Sequence, residues 1–235
     1  MKAEHIQAEE ARIDKLVEKT CKDSTNLELK PIYDGAINAT LYVRAPVRIL
    51  WILKEPWEER DINGGAGGWS LRELLDEKPE IFRKHTHRYV FCVSYGLLKG
   101  TRDWSVIRNS RGDADYKTLF RSVAHINVKK LPNTRNAPAS NNAVMRGYET
   151  GKEIIRQQIE LYKPDVVIGC NPHMPAIIRD MSGETAQLAR TGHAAHCRIG
   201  HTIFISGYHP AQRIISKEKY VMDMLKAYDT EKQSF

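Results

Sequence analysis

Two short strings hold the side chains of this chain that are placed to do chemistry. Leu53-Lys54-Glu55-Pro56-Trp57 offers an ammonium and a carboxylate, and Tyr208-His209-Pro210-Ala211-Gln212-Arg213 offers an imidazole and a guanidinium. Each directly follows an apolar run, Arg48-Ile49-Leu50-Trp51-Ile52 or Thr202-Ile203-Phe204-Ile205-Ser206, that reads as a buried β-strand. A proline just past each strand end stops the ladder and fixes a rigid loop. Ligands of open α/β sheets collect at such strand ends.

The elements that must position these strings are legible in outline. Residues Ala3 to Lys22 carry apolar side chains at helical spacing among many charges, as expected of an amphipathic helix packed on a domain surface. Gly64-Gly65-Ala66-Gly67-Gly68 forms a glycine-rich loop before Ser70, a good N-cap for a helix through Leu71, Leu74 and Leu75. The run Val90 to Leu98 fits either a strand or a buried helix, and the rest of Ile81 to Tyr116 is irregular and basic. Ser122 to Val128 reads as a second strand, followed by a long polar loop from Pro132 to Asn142. Val144 to Tyr162 is helix-periodic until Lys163-Pro164, and Asp165 to Gly169 reads as a buried parallel strand. A helix near Met174 to Met181, the strand reaching Ser206 and a last amphipathic helix from Ile214 to about Tyr228 complete the chain. Four strands alternating with helices imply a parallel sheet covered on both faces.

Composition narrows the function classes. The 235 residues fit one domain, and 36 Lys and Arg against 29 Asp and Glu leave a formal net charge of +7, which favours polyanionic partners. Cys21, Cys92, Cys170 and Cys197 are scattered, without a CxxC pair or the density of a secreted disulfide framework, so a reducing, cytoplasmic setting is expected. No stretch approaches the ~20 apolar residues that span a bilayer, so no membrane partner is expected. The glycine run lacks the Lys-Ser/Thr of a phosphate-binding NTPase loop. His193, His196, Cys197 and His201 carry zinc-compatible donors, but their spacing fits no common finger, and Arg198 to Gly200 reads as a turn between two strands. These histidines line a hairpin or touch phosphate in the preferred reading; a metal is the minority one.

Together the strand-end residues resemble the uracil-DNA glycosylase superfamily over roughly residues 48 to 215. Leu53-Lys54-Glu55-Pro56-Trp57 is similar to its Gly-Gln-Asp-Pro-Tyr-like first motif. Ile126-Asn127-Val128-Lys129-Lys130 resembles its Asn-bearing strand, Lys163 to Ile168 its third strand, and His209-Pro210-Ala211 its second motif. Glu55 is one methylene longer than the aspartate typical of the best-known branch, and Lys54 and Trp57 stand where that branch has Gln and Tyr. The iron-sulfur branches carry paired cysteines near the N-terminus, a pattern missing here, so no cluster, metal or other cofactor is expected.

The resemblance implies a three-layer α/β/α domain with a four-stranded parallel sheet, preceded by a helical extension at about residues 1 to 22. It also implies a monofunctional DNA glycosylase, hydrolysing the bond between deoxyribose and a damaged or modified base flipped out of DNA. Breaking that bond builds positive charge on the sugar and negative charge on the base. Glu55 would answer the first charge and orient the attacking water, while His209 would donate to a base carbonyl. Asn127 would read the edge of the extruded base, with Trp69 as its stacking face and Trp57 beside C5 of a pyrimidine. Lys54, Lys129, Lys130, Arg135 and Arg213 would neutralise phosphates, and Arg213 and Ile214 lie where related proteins push a side chain into the base stack. DNA is then the expected partner, with no obligate protein partner evident.

Plainer readings stand beside these. Glu55 is also read as a surface carboxylate paired with Arg60, His209 as a helix cap, Trp69 as a core residue and Asn127 as a buried amide bonded to backbone. Two other functions are compatible with the same residues: a catalytically silent nucleic-acid-binding protein, and a hydrolase of free nucleosides or nucleotides.

Overall fold

A computed structural model describes residues 1–22, 29–83, 85–135, 137–183 and 186–234. Asn136, within the long polar loop, lies outside the described residues. At its centre are four parallel strands: β2 (Ile49–Leu53), β3 (Ala124–Asn127), β4 (Val166–Cys170) and β7 (Thr202–Gly207). Their spatial order is β3-β2-β4-β7. Every residue of β2 and β4 is buried, as continuous apolar runs in the middle of a doubly covered sheet must be.

The sheet is wider than the four strands expected from the sequence. The two-residue β1 (Gly35–Ala36) pairs antiparallel with β3 at one edge. At the other edge β6 (Ala194–Ile199) pairs antiparallel with β7, and β5 (Ala189–Thr191) pairs with β6, giving a seven-stranded mixed sheet. β1 is too short to show a period. β5 is exposed and polar, and β6 carries His196 and Arg198, so neither edge strand has an apolar run to announce it. The turn expected at Arg198 to Gly200 does join two strands, β6 and β7.

Alternate residues of the strands enter two separate cores. Ile49, Trp51, Val166, Ile168, Ile203 and Ile205 pack with α4 (His85–Leu98) and α9 (Lys217–Gln233). The short helices α3 (Leu71–Glu77), α5 (Trp104–Arg108) and α6 (Tyr116–Arg121) add to this layer. Leu50, Ile52, Ala124, Ile126, Val167 and Phe204 pack on the other face with α1 (Ala3–Lys22), α2 (Ala39–Arg44), α7 (Asn141–Tyr162) and α8 (His173–Ser182). The chain is therefore a helix/sheet/helix sandwich whose faces follow the period-two alternation of its strands.

The ambiguous run at Val90 to Leu98 resolves as helix α4. It is apolar on most sides because it lies across the sheet, where the Trp51 indole donates to Ser94 Oγ at 3.0 Å. The last helix begins at Lys217, later than Ile214, because Ser216 caps it and the Gln212 carboxamide holds the preceding segment in a loop. α1 buries Ile6, Ile13 and Val17, and its Glu10 carboxylate accepts from Ala36 N at 3.0 Å and the Tyr162 hydroxyl at 2.7 Å. Arg48 and Asp165 tie the starts of β2 and β4 together through a guanidinium–carboxylate pair at 2.7 Å.

No helix among the described residues is long and apolar enough to cross a membrane. The four cysteines are free thiols.

His125, in the middle of β3, is 1% exposed, and neither ring nitrogen has a hydrogen-bond partner among the described residues. Burial, then the neighbouring His87, holds its pKa well below the usual imidazole value. An unfolded chain therefore binds more protons than the folded one below pH ~6.5, and stability must fall as the pH drops. Urea midpoints at pH 7.5, 6 and 5 are expected to decrease in that order, and His125→Leu is expected to lessen the decrease.

Candidate active site at the carboxyl ends of the parallel strands

The crevice outside the carboxyl ends of β3, β2, β4 and β7 gathers most of the residues singled out from the sequence. It includes the point where the strand order reverses, between β2 and β4, the usual ligand position of doubly wound sheets. Beyond the formal strand ends the ladder continues: Val128 N donates to Leu53 O at 2.9 Å and Lys129 N to Lys54 O at 3.0 Å. Asn133 N then donates to Pro56 O at 2.8 Å, and Glu58 N to Asn133 O at 3.2 Å. The first motif and the segment after Asn127 thus form one continuous ribbon.

That ribbon places Glu55 among donors. One carboxylate oxygen accepts from Lys129 Nζ at 2.8 Å; the other accepts from Asn133 Nδ2 at 3.0 Å and from Ala139 N at 2.7 Å. Its side chain is only 8% exposed. The pairing with Arg60 does not form; the Arg60 guanidinium instead donates to Gly64 O. Asn133 and the Ala139 amide were not foreseen, since neither residue type nor spacing signals that the long polar loop folds back onto Glu55.

Lys129 reaches Glu55 by lying over α7 at Gly147, where a Cβ would come within 2.3 Å of Lys129 Cγ. It is a partner of the candidate carboxylate, not the free phosphate ligand expected. Lys130, on the opposite side of the ribbon, is 5% exposed, and its ammonium donates to Asp34 Oδ1 at 2.7 Å and Gln158 Oε1 at 2.9 Å. Buried and doubly engaged, it cannot reach DNA. The expectation that it binds phosphate is corrected: extended backbone turns successive side chains to opposite faces, so one lysine faces the site and the next the core.

His209 sits where both Lys54 and Glu55 act on it. Burial, reinforced by the charge of Lys54, pushes its pKa down to about 4, and Glu55 opposes that shift. Its Nδ1 accepts from Ala211 N at 3.1 Å, so the single proton of the neutral ring is on Nε2, available to donate. Lys54 has no ion-pair partner among the described residues.

His173, the first residue of α8, was not foreseen as a site residue. Its ring donates from Nε2 to Ile52 O at 3.1 Å, while Nδ1 is buried without a partner. Burial, aided by Lys54 and His209, brings it to about 4 as well.

Asn127 ends β3 opposite Leu53 of β2 and is 3% exposed. Its backbone N–H donates to Asp34 Oδ2 at 2.7 Å, and its side-chain amide makes no hydrogen bond among the described residues. β3 and β7 are three strand intervals apart, ~14 Å at ~4.8 Å per interval, so Asn127 and His209 follow the two outer strands of the parallel centre.

The two tryptophans behave differently. Trp57 is 56% exposed, with its indole donating to Arg135 O at 3.0 Å. Trp69 is half-buried and donates to Glu58 Oε2 at 2.9 Å, an oxygen that also accepts from Gly67 N at 2.6 Å. The glycine-rich loop is itself pinned to the segment before β1, with Lys30 N donating to Ala66 O and Gly68 N to Pro31 O. Gly67, at φ +86°, lies so close that a Cβ would meet Lys30 O at 1.9 Å. The glycine at this position is required by the protein's own backbone, and no nucleic-acid phosphate need be invoked for it.

Arg135 and Arg213 are exposed. The histidine cluster of the sequence does not converge. His196 pairs with Glu231 at 2.7 Å and Thr191 at 2.8 Å, and His193 pairs with Asp223 at 2.8 Å. Among the described residues no group of three or more His, Cys, Asp or Glu could hold a metal ion. A groove of about 280 Å³ lies between α7 and α8, lined by Tyr148, Ile155, Ile177 and Asp180, and none of the strand-end residues line it.

Two outcomes test this geometry. Lys130→Met leaves the Asp34 carboxylate buried without its cation and should lower unfolding free energy by roughly 3–5 kcal/mol. Gly147→Ala, usually favourable within a helix by about 0.5–1 kcal/mol, should here destabilise, because the new methyl displaces Lys129 from Glu55. Urea denaturation of both variants checks the magnitudes and the sign.

Compared with known proteins, the chain matches no protein-family model and no curated sequence.

Proposed function

We propose that this protein is a DNA glycosylase that hydrolyses the N-glycosidic bond of a damaged or modified base extruded into the crevice between Asn127 and His209, on a uracil-DNA glycosylase-like scaffold. The observation that carries the reading is the placement of a carboxylate, an unpartnered amide and a neutral, tautomer-fixed imidazole at the ends of three parallel strands. The order β3-β2-β4-β7, in which the first of the four parallel strands lies inside the second, supports the scaffold.

Each group has a part in the bond cleavage. As the base departs, negative charge grows on its carbonyl oxygen, and Nε2–H of His209 is the donor that meets it. A neutral imidazole avoids placing a full charge in the pocket before reaction and gives up no proton that must be replaced. Glu55 faces the positive charge developing on the sugar and orients the water. Its three donors hold the carboxylate in one orientation and leave one of its ~4 lone-pair positions for that water. The Asn127 amide offers one donor and one acceptor in a plane, the pattern needed to read a base edge.

The loop after His209 supports a duplex substrate. Ile214 is 72% exposed, and its backbone N–H donates to Gln212 Oε1, as does Ile215 N at 2.9 Å. A rigidly presented aliphatic side chain can fill the space an extruded base vacates. Lys54, Arg135 and Arg213 remain available for phosphates once Lys129 and Lys130 are assigned to ion pairs.

One observation favours a second reading. A carboxylate already accepting three hydrogen bonds, one from an ammonium, has most of its lone pairs engaged within the protein, which suits a nucleic-acid-binding protein that has lost the chemistry.

The test is base release from oligonucleotides carrying deaminated or alkylated bases, read as alkali-labile strand breaks. His209→Ala should lower the rate ~10²–10³-fold and Glu55→Gln ~10²–10⁴-fold, each with DNA affinity retained. At saturating DNA the rate should show no inflection near pH 6.5, since His209 stays neutral down to about 4. DNA binding without release of any base would favour the silent binder.

A further inference from the structure

Outside the crevice, the hairpin of β5 and β6 carries a pair of groups tied to one carboxylate. The register that sets Ala195 opposite Ser206 puts the Gly192-His193 turn beside the end of β7, at the same end of the sheet as His209. The His193 ring lies 5.8 Å from the ring of Tyr208, the residue before His209. His193 Nδ1 and its backbone N–H both donate to Asp223 Oδ2, at 2.8 and 2.9 Å. Lys219, one helical turn earlier on α9, brings Nζ to 3.7 Å from the same oxygen.

The turn is shaped for this contact. Gly192 has φ +57°, and a Cβ there would meet the Asp223 carboxylate at 2.4 Å, so only glycine lets the hairpin close on α9. Asp223 is 10% exposed at its side chain, whereas His193 is 34% and Lys219 51% exposed. One nearly buried carboxylate oxygen thus gathers an imidazole and an ammonium, with Nε2 of the imidazole without a partner among the described residues. Two donors fixed in that way match two oxygens of a phosphate.

We propose that His193 and Lys219, positioned by Asp223, form a phosphate-binding pair that grips a phosphodiester of the DNA whose base enters the crevice at His209. The inference rests on the glycosylase reading for its ligand and goes beyond it in assigning the contact. The groups facing His193 are Asp223 and Lys219 of α9 and Tyr208 at the end of β7.

The experiment measures affinity for an abasic-site oligonucleotide against salt at one pH, with melting curves showing each variant folded. Lys219→Gln should lower the log–log slope by about 0.7–0.9, the value of one phosphate contact. His193→Asn, which can keep the bond to Asp223, should weaken DNA binding several-fold. His193→Arg, always charged, should restore binding with a slope steeper by about 0.7–0.9.

The proposal is overturned if His193→Asn and Lys219→Gln bind DNA as the wild type does, or if the wild type shows no salt-dependent DNA binding. It is also overturned if the variants lose affinity for a mononucleotide competitor while the DNA slopes are unchanged, which would assign the pair to free nucleotides. Base release at saturating DNA is read separately and should be unaltered in His193→Asn, so that loss of the contact and loss of the glycosylase reading give different results.

Discussion

The carboxylate of Asp34 is the interaction on which the site depends. Buried at 2% exposure, it accepts from Lys130 Nζ, Gln158 Nε2 and the backbone N–H of Asn127. These bonds join the segment before β1, the end of β3 and the C-terminal part of α7 at one point. A charge so deeply placed is tolerated only when its partners satisfy it, so the chain around it has little freedom. Asn127 is set by that constraint at its backbone, which leaves its side chain free of intramolecular duty.

The same anchor acts on Glu55 at one remove. With Lys130 drawn into the core, the extended ribbon turns Lys129 the other way, onto Glu55. Ile32 N also donates to Lys130 O at 2.9 Å, and the glycine-rich loop lies against residues 30 to 33. Core ion pair, ribbon and loop are therefore one hydrogen-bonded assembly. Its hydrogen bonds hold a candidate site of charged residues at the ends of the largely apolar parallel strands.

Electrostatics divides the strand ends into two kinds of place. Near β2 and β7, Lys54 and burial keep His173 and His209 uncharged, so the crevice holds a dipolar donor in place of a second cation. At the neighbouring hairpin, Asp223 gathers His193 and Lys219, and the Lys219 ammonium is half-exposed.

Local pattern was enough to read the strands of the parallel centre, most helices and the two proline-bearing strings, because burial on both faces writes itself as short apolar runs and packing against them writes itself as helical period. It also marked Glu55, Asn127 and His209, which stand at the ends of those runs. Tertiary structure alone decided which of two adjacent lysines is buried, that Asn133 and the Ala139 amide close on Glu55, and why Gly67 must be glycine. It decided too that the histidine cluster divides into pairs with Asp223 and Glu231. The physical reason is common to all of them: each depends on a contact between residues distant in the chain. Nothing in residue type or periodicity encodes such a partner until the sheet and its covering helices bring it within hydrogen-bond reach.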